Sequence, residues 1–261
     1  MHRESLLRLL EQLRTGAIST DQAADTLTHL PFEDTGFAKI DHHRTLRSGL
    51  PEVIYAAGKT PEQTAAIFQR IAASGVNVLA TKADATHFAA VQTLVPAAEY
   101  HALAQCIALR QAQQPRHEGT IAVVCAGTSD LPVAAEAAIT ADLFGANVLR
   151  ITDVGVAGIH RLLAQRPLLQ TADVVIACAG MEGALPSVLG GMVGVPVIAV
   201  PTSVGYGVAF HGITALLSML NSCSPNTTVV NIDNGFGAAY TATLICRGQQ
   251  KKQPGASSDA I

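Results

Sequence analysis

Five short, largely apolar runs separated by helical patterns fill the second half of this chain. Apolar strands of this kind are buried on both faces, and parallel pairing requires a long crossover between successive strands, usually a helix. The second half therefore predicts an α/β fold with a doubly wound parallel sheet. The five runs are residues 121–125, 147–151, 174–178, 195–200 and 229–232.

The first half predicts smaller elements. Leucines recur at helical spacing within residues 1–35, which predicts a helical hairpin used for packing or dimerisation. Residues 36–110 alternate strand and helix signals and predict a smaller α/β domain. Inside it, Thr60 and Gln63 have the spacing of a capping box at the start of a helix, and residues 98–109 are typical of extended chain.

Two polar segments bound the second domain. Residues 111–119 contain proline and lack periodicity, which is typical of a linker. Residues 120–247 then form the predicted second domain. The tail, residues 248–261, contains Lys, Gln, Ser, Gly and Pro and is predicted to be disordered.

Composition excludes several classes of protein. Hydrophobic residues make up 49% of the chain and charged residues only 14%, so we expect a buried interface in a homo-oligomer. A net charge of -3 without a basic block argues against a nucleic-acid partner. The five cysteines show neither paired nor Cys-x-x-Cys spacing, which argues against disulfides and zinc.

The same sequence argues against a membrane. Charged residues interrupt the apolar stripe near the amino terminus, and prolines interrupt the apolar run at 193–200, which is far shorter than the ~20 residues that span a bilayer. We therefore expect a cytoplasmic protein.

Two glycine-containing loops follow strands of the predicted sheet. Residues 125–130 read Cys-Ala-Gly-Thr-Ser-Asp, and residues 179–187 read Ala-Gly-Met-Glu-Gly-Ala-Leu-Pro-Ser. Loops at the carboxyl ends of neighbouring parallel strands meet in one crevice, and glycine lets backbone N–H groups approach an anion. The hydroxyls of Thr128 and Ser129 precede a helix whose positive end favours phosphate. The pattern predicts a nucleotide-type ligand, with plain turn chemistry as the alternative.

These loops resemble those of PurE, the aminoimidazole ribonucleotide (AIR) carboxylase. PurE carries Ala-His-Leu-Pro where this chain has Gly183-Ala184-Leu185-Pro186, so the PurE catalytic histidine is missing. Several longer motifs in order resemble instead the LarB family of nickel-pincer cofactor biosynthesis, over roughly residues 37 to 245. They lie at residues 41–55, 58–60, 180–187, 200–207, 220–223 and 230–237.

The LarB resemblance implies a fold and an activity. The fold is a PurE-like sheet, and the assembly is an octamer. The substrates are nicotinic acid adenine dinucleotide and CO2; the enzyme carboxylates the pyridinium ring and hydrolyses the phosphoanhydride. A divalent cation, expected to be Mg2+, assists the hydrolysis; its ligands are not assigned, and no organic cofactor is expected.

The resemblance also implies the site residues. Cys223 is the covalent nucleophile, and we assign Glu182 as the acid/base group. A second set binds the substrate: Gly127, Thr128, Ser129, Asp130, Gly180, Met181, Gly183, Ser203, Gly205, Tyr206, Asp41, Arg44, Arg47 and Lys59.

The residues alone leave other readings open. By spacing alone, Lys59 is better read as a solvated lysine before a helix, and the alternative for Glu182 is a helix cap. The arginines near Asp41 suit a carboxylate or phosphate, or form a surface ion-pair cluster. His211 stands where a LarB-like sequence carries glycine, so we leave it out of the site.

Two rival functions remain at this point. One is AIR carboxylase of the purine pathway, which the missing histidine opposes. The other is a dinucleotide-binding module without catalytic activity, which would bind the ligand and release no AMP.

Overall fold

The described residues form three sheets: a two-stranded and a four-stranded sheet in the first of two units, and a five-stranded sheet in the second. The computed structural model describes residues 3–28, 32–112 and 119–250. The chain folds into two compact units, residues 1–113 and 114–261. Most of the predicted linker, residues 113–118, and residues 251–261 of the predicted tail lie outside the described residues.

The first unit begins with the predicted helical hairpin, formed by α1 (Arg3–Arg14) and α2 (Thr20–Thr28). Ser19 Oγ accepts a hydrogen bond from the Gln22 amide at 3.1 Å, and Gln22 Oε1 accepts one from the Ser19 amide at 2.9 Å. This reciprocal pair satisfies amide groups that a helix start leaves unpaired.

A four-stranded sheet in the order β3-β4-β6-β5 forms the centre of the first unit. Thr60 and Gln63 form the predicted capping box at the start of α4, which confirms that prediction. The elements of this unit that follow α2 are β1 (Glu33–Asp34), β2 (Lys39–Ile40), α3 (Arg44–Ser48), β3 (Val53–Tyr55), α4 (Pro61–Ala73), β4 (Val78–Thr81), α5 (Ala85–Leu94), β5 (Glu99–His101) and β6 (Cys106–Leu109).

Residues 98–109 are not continuous extended chain, so that prediction is wrong. A 3-10 turn over Ala102–Ala104 separates β5 from β6, and Gln105 has a left-handed backbone with φ +50°. The chain reverses there, and β5 pairs antiparallel with β6. The predicted linker also begins late, because the Gln111 and Ala112 amides both donate to Asn77 Oδ1 at 2.9 Å within the first unit.

The second unit contains a five-stranded sheet in the order β11-β10-β9-β7-β8, in which all neighbouring strands are parallel. This confirms the predicted α/β fold with a parallel sheet. Its elements are β7 (Thr120–Cys125), α6 (Leu131–Leu143), β8 (Asn147–Ile151), α7 (Ile159–Ala164), α8 (Arg166–Leu169), β9 (Val174–Ala179), α9 (Leu185–Met192), β10 (Val197–Pro201), α10 (Ile213–Leu220), β11 (Thr227–Val229) and α11 (Gly235–Gln250).

Several boundaries in this unit differ from the prediction by one to three residues. Strand β11 begins two residues earlier than expected and ends at Val229. Helix α11 extends to Gln250, so residues 248–250 are helical rather than part of a disordered tail. Arg247 Nη2 donates to the Phe144 carbonyl at 3.2 Å and anchors the last turns of that helix.

Helices cover both faces of the five-stranded sheet. Alternate residues of β7 point to opposite faces, as the strand period of two requires, so Ile121 and Val123 pack in one cluster and Ala122 and Val124 in another. The first cluster includes buried alanines of α6 and α11, and the second includes residues of α9 and α10. Within the described ranges, no helix is both long and apolar enough to cross a membrane.

Candidate active site

Three loops meet at the carboxyl edge of the five-stranded sheet. They are the phosphate loop after β7 (residues 126–130), the glutamate loop after β9 (180–184) and the ring loop after β10 (202–212). Backbone hydrogen bonds connect the ring loop to the end of β9 and to the glutamate loop: Thr202 N donates to the Ala179 carbonyl at 3.0 Å, and Met181 N donates to the Val204 carbonyl at 2.9 Å. The sheet therefore brings together the predicted residues of these three loops.

The phosphate loop ends in a 3-10 turn that leads directly into α6. Thr128 and Ser129 are exposed there, whereas Asp130 is only 3% exposed. One Asp130 oxygen accepts from the Gly127 amide at 2.9 Å, and the other accepts from Thr202 Oγ1 at 2.6 Å. Asp130 thus ties the phosphate loop to the ring loop, and the exposed hydroxyls lie at the positive end of α6, where an anion is stabilised.

The glutamate loop presents an exposed carboxylate, that of Glu182. Its neighbours Met181 and Gly183 both have left-handed backbones, with φ +51° and +66°. Gly180 is required there because a Cβ atom at that position would overlap the Val204 carbonyl oxygen and the Thr202 side chain. Among the described residues, no hydrogen bond joins the Glu182 carboxylate to α9, so Glu182 does not cap this helix.

The ring loop is bonded at its start and carries exposed side chains further along. The Ser203 amide donates to Asp233 Oδ1 at 2.9 Å, while Tyr206 is 81% exposed. Phe210 and His211 have consecutive left-handed backbones, with φ +44° and +52°. Glycine adopts this conformation without the steric cost that other residues bear, which explains why glycine is expected at position 211.

Cys223 is the one exposed cysteine of the five. Burial raises the pKa of the Cys125 thiol, raises that of Cys178 well above its usual value, and raises that of Cys246 to about 11. These buried thiols stay protonated at neutral pH, and a protonated thiol is a poor nucleophile. Its exposure therefore makes Cys223 the candidate nucleophile among the five cysteines.

Serine hydroxyls fix the position of the Cys223 turn. Ser222 Oγ lies 2.7 Å from Ser187 Oγ, and Ser224 Oγ donates to the Ser187 carbonyl at 2.9 Å. Ser187 belongs to the first turn of α9, so these bonds hold the turn against that helix. Cys223 thus lies in the turn between α10 and β11, beside the first turn of α9, which directly follows the glutamate loop.

The first unit contains the cluster predicted around Asp41, in which Arg44 and Arg47 lie close to the Asp41 carboxylate. Asp41 Oδ2 is 2.8 Å from Arg47 Nη2 and 3.6 Å from Arg44 Nε. Burial acts to raise the pKa of Asp41, but the Arg47 hydrogen bond and the charges of both arginines hold that pKa below its usual value. The Lys59 side chain makes a different contact: its Nζ donates a hydrogen bond to the Tyr55 carbonyl at 2.7 Å.

The described ranges offer no cluster of three or more His, Cys, Asp or Glu side chains suited to a metal ion. Any divalent cation there would therefore need other ligands, and oxygen atoms of a phosphate are those that Mg2+ prefers.

Comparison with protein families assigns both halves of the chain. A family model described as the LarB/PurE-like N-terminal domain matches residues 32–111, and the AIR carboxylase model matches residues 120–255. The two domains occur in the order expected for LarB. The chain belongs to the LarB family.

A curated relative supports this assignment. The chain is 37% identical over 257 residues to an uncharacterized protein of Methanocaldococcus jannaschii. The matched region covers 95% of this chain and 99% of the relative. The AIR carboxylase domain gives the second unit its PurE-like fold and indicates a carboxylase-type enzyme of the PurE/LarB family.

Proposed function

We propose that this LarB-family chain carboxylates the pyridinium ring of nicotinic acid adenine dinucleotide and hydrolyses its phosphoanhydride. The products are pyridinium-3,5-dicarboxylate mononucleotide and AMP, in nickel-pincer cofactor biosynthesis for lactate racemase. The observation that carries the proposal is the exposure of Cys223 in an AIR carboxylase fold that lacks the PurE histidine, with Ala184 in its place.

The chemistry of the ring explains the need for a thiolate. A pyridinium ring is electron-poor and does not attack CO2. Addition of the Cys223 thiolate forms a carbon–sulfur bond and turns the ring into an electron-rich dihydropyridine, whose carbon then bonds to CO2. A base next removes the ring proton at that carbon, the carbon–sulfur bond breaks, and the thiolate leaves as aromaticity returns.

Glu182 is the acid/base group in this proposal, and its exposed carboxylate is available to take the ring proton. Water then cleaves the phosphoanhydride, leaving one phosphate on the carboxylated mononucleotide and the other on AMP. The Thr128 and Ser129 hydroxyls and the start of α6 support phosphate binding. Gly127, Gly180, Met181, Gly183 and the 203–206 segment of the ring loop would line the rest of the pocket.

Three parts of the proposal rest on the family resemblance. Asp41, Arg44, Arg47 and Lys59 are expected to bind acidic groups of the substrate. Magnesium is expected as a counter-ion of the diphosphate, since the described residues supply no ligand cluster. The assembly is expected to be an octamer.

One experiment separates this function from its rivals. The protein is incubated with bicarbonate and magnesium, in parallel with nicotinic acid adenine dinucleotide and with aminoimidazole ribonucleotide. Release of AMP with a carboxylated mononucleotide supports the proposal. Consumption of aminoimidazole ribonucleotide alone identifies a purine-pathway carboxylase, and binding of the dinucleotide without AMP release identifies a binding module.

A further inference from the structure

Thr202 is a buried polar residue at the point where the ring loop begins. It directly follows Pro201, the last residue of β10, and its exposed fraction is 0%. The Thr202 hydroxyl donates a hydrogen bond to Asp130 Oδ1 at 2.6 Å, a length typical of a hydroxyl bonded to a carboxylate. Loss of that donor would leave one oxygen of a buried carboxylate unsatisfied, which is costly, so the bond fixes the positions of both side chains.

The Asp130 carboxylate is used within the protein. Its second oxygen accepts a hydrogen bond from the Gly127 amide at 2.9 Å, so both oxygens have partners in the fold. The Asp130 side chain is buried, whereas Thr128 and Ser129 between these two residues are exposed. Asp130 therefore sets the shape of the phosphate loop from inside, and its bond to Thr202 links that shape to the start of the ring loop.

The same hydroxyl packs against the glutamate loop. A Cβ atom at Gly180 would lie only 2.8 Å from Thr202 Oγ1, so the backbone of the glutamate loop passes directly beside this oxygen. The Thr202 amide also donates to the Ala179 carbonyl at 3.0 Å, one residue before Gly180. Glu182 follows two residues after Gly180, so the contacts of Thr202 lie close to the proposed acid/base group.

The far end of the ring loop returns to Thr202 as well. A Cβ atom at Gly212 would lie 2.8 Å from the Thr202 carbonyl oxygen, and Gly212 has φ +95°, so glycine is required there. Both ends of the ring loop therefore meet at Thr202. Three loops thus converge on one buried residue.

We infer that Thr202 is a positioning residue for the proposed reaction. Its hydroxyl fixes the phosphate loop through Asp130 and the glutamate loop through Gly180, while its backbone closes the ring loop. The inference rests on the proposed function, in which these loops bind the dinucleotide and supply Glu182. Thr202 is buried and acts only through these neighbours. Displacement of reacting groups by about 1 Å costs roughly a hundredfold in rate, so loss of the hydroxyl should slow the chemistry.

Two substitutions at position 202 separate the hydroxyl from the shape of the side chain. Thr202→Val keeps the shape and removes the hydroxyl, so the turnover number for ring carboxylation should fall by roughly a hundredfold, while the Kd of the dinucleotide changes far less. Thr202→Ser keeps the hydroxyl and should retain most of the turnover. Wild-type turnover in Thr202→Val, or equal losses in the two variants, overturns the inference.

Thr243→Val is the matched control for the loss of a buried hydroxyl. Thr243 is 0% exposed, and its Oγ1 donates to the Ala239 carbonyl at 2.8 Å within α11. This variant also loses one buried hydrogen bond, so it measures the effect of reduced stability alone. Turnover should stay at the wild-type level, and a loss equal to that of Thr202→Val would make the effect of Thr202 merely structural.

A double variant tests whether Thr202 acts through Asp130. Asp130→Asn weakens the same bond that Thr202→Val removes, so the two effects on turnover should not add. The double variant should be about as active as the more impaired single variant. A loss equal to the product of the two single losses would contradict the action through this bond.

Hydrogen exchange tests the junction without any substrate, so its result stands if the wild-type protein proves to catalyse another reaction. The Gly127 amide is bonded to Asp130, and the Met181 amide is bonded to the Val204 carbonyl. Both amides should exchange faster in Thr202→Val and at the wild-type rate in Thr202→Ser and Thr243→Val. Unchanged exchange of both amides in Thr202→Val overturns the inference even if carboxylation is observed. Faster exchange in Thr202→Val, with no product from the wild-type protein, supports the junction and contradicts the proposed function alone.

Discussion

The Glu182 carboxylate is exposed and lies between two residues with left-handed backbones. Left-handed backbone costs about 1–2 kcal/mol for a residue with a side chain, so the conformation of Met181 is one that the surrounding loops enforce. Strained positions of this kind cluster at functional sites. The local structure is therefore consistent with a chemical role for the glutamate loop.

We predict that Glu182→Gln lowers the turnover number by roughly two to four orders of magnitude, the usual contribution of a general base. Glutamine keeps the size of the side chain but does not accept the ring proton, so the Kd of the dinucleotide should change far less. Steady-state kinetics and calorimetric titration measure the two quantities, with Glu99→Gln as a control at an exposed position of the first unit. A weaker Kd with an unchanged turnover number would make Glu182 a binding residue.

Differences in burial among the cysteines lead to a second prediction. In the native protein, one thiol of five should react rapidly with a thiol reagent at neutral pH, and the other four should react only after unfolding. Cys223→Ser should remove the rapid phase, since the buried thiols are shielded and their raised pKa values keep Cys125, Cys178 and Cys246 protonated. Rapid reaction of a second thiol would contradict the burial described above.

At the scale of elements, the ring loop contains two consecutive residues, Phe210 and His211, whose left-handed backbone is sterically unfavourable. We predict that His211→Gly raises the free energy of unfolding by about 1 kcal/mol, because glycine adopts a left-handed backbone without steric conflict. His160→Gly is the matched control: His160 lies within α7, where glycine is the poorer helix former, and the change should be destabilising. Urea unfolding of both variants measures the change in the free energy of unfolding. A His211→Gly protein less stable than the wild type would show that the backbone at His211 is not strained.

The sequence predicted the elements whose signals are local. The helix cap at Thr60 and the strands of the five-stranded sheet can be recognised from a few residues that are neighbours in the sequence. The antiparallel return of β6 and the buried bond from Thr202 to Asp130 join residues far apart in the chain, which no local pattern specifies. The serine contacts that hold the Cys223 turn against Ser187 likewise join residues far apart in the chain.

At the scale of the whole molecule, the exposed apolar side chains Ile213, Leu217 and Leu220 on α10 are typical of a surface that another chain covers. We predict a homo-oligomer, most simply the octamer that the family resemblance implies, and Leu217→Lys should shift it to smaller species because a charge is costly in an apolar interface. Light scattering at micromolar concentration measures the mass of both proteins. A wild-type protein of 27.1 kDa in solution would contradict assembly, and an unchanged mass for Leu217→Lys would assign the contact to another surface.

Covalent ring carboxylation by Cys223 is the central claim, and isotope labelling tests it most directly. The wild-type and Cys223→Ala proteins are incubated with nicotinic acid adenine dinucleotide, magnesium and 13C-bicarbonate, and the products are identified by mass spectrometry. The account predicts that the wild-type protein forms AMP and a mononucleotide with one 13C-labelled carboxylate, and that Cys223→Ala forms no labelled mononucleotide. Labelled mononucleotide from Cys223→Ala at the wild-type rate would contradict it.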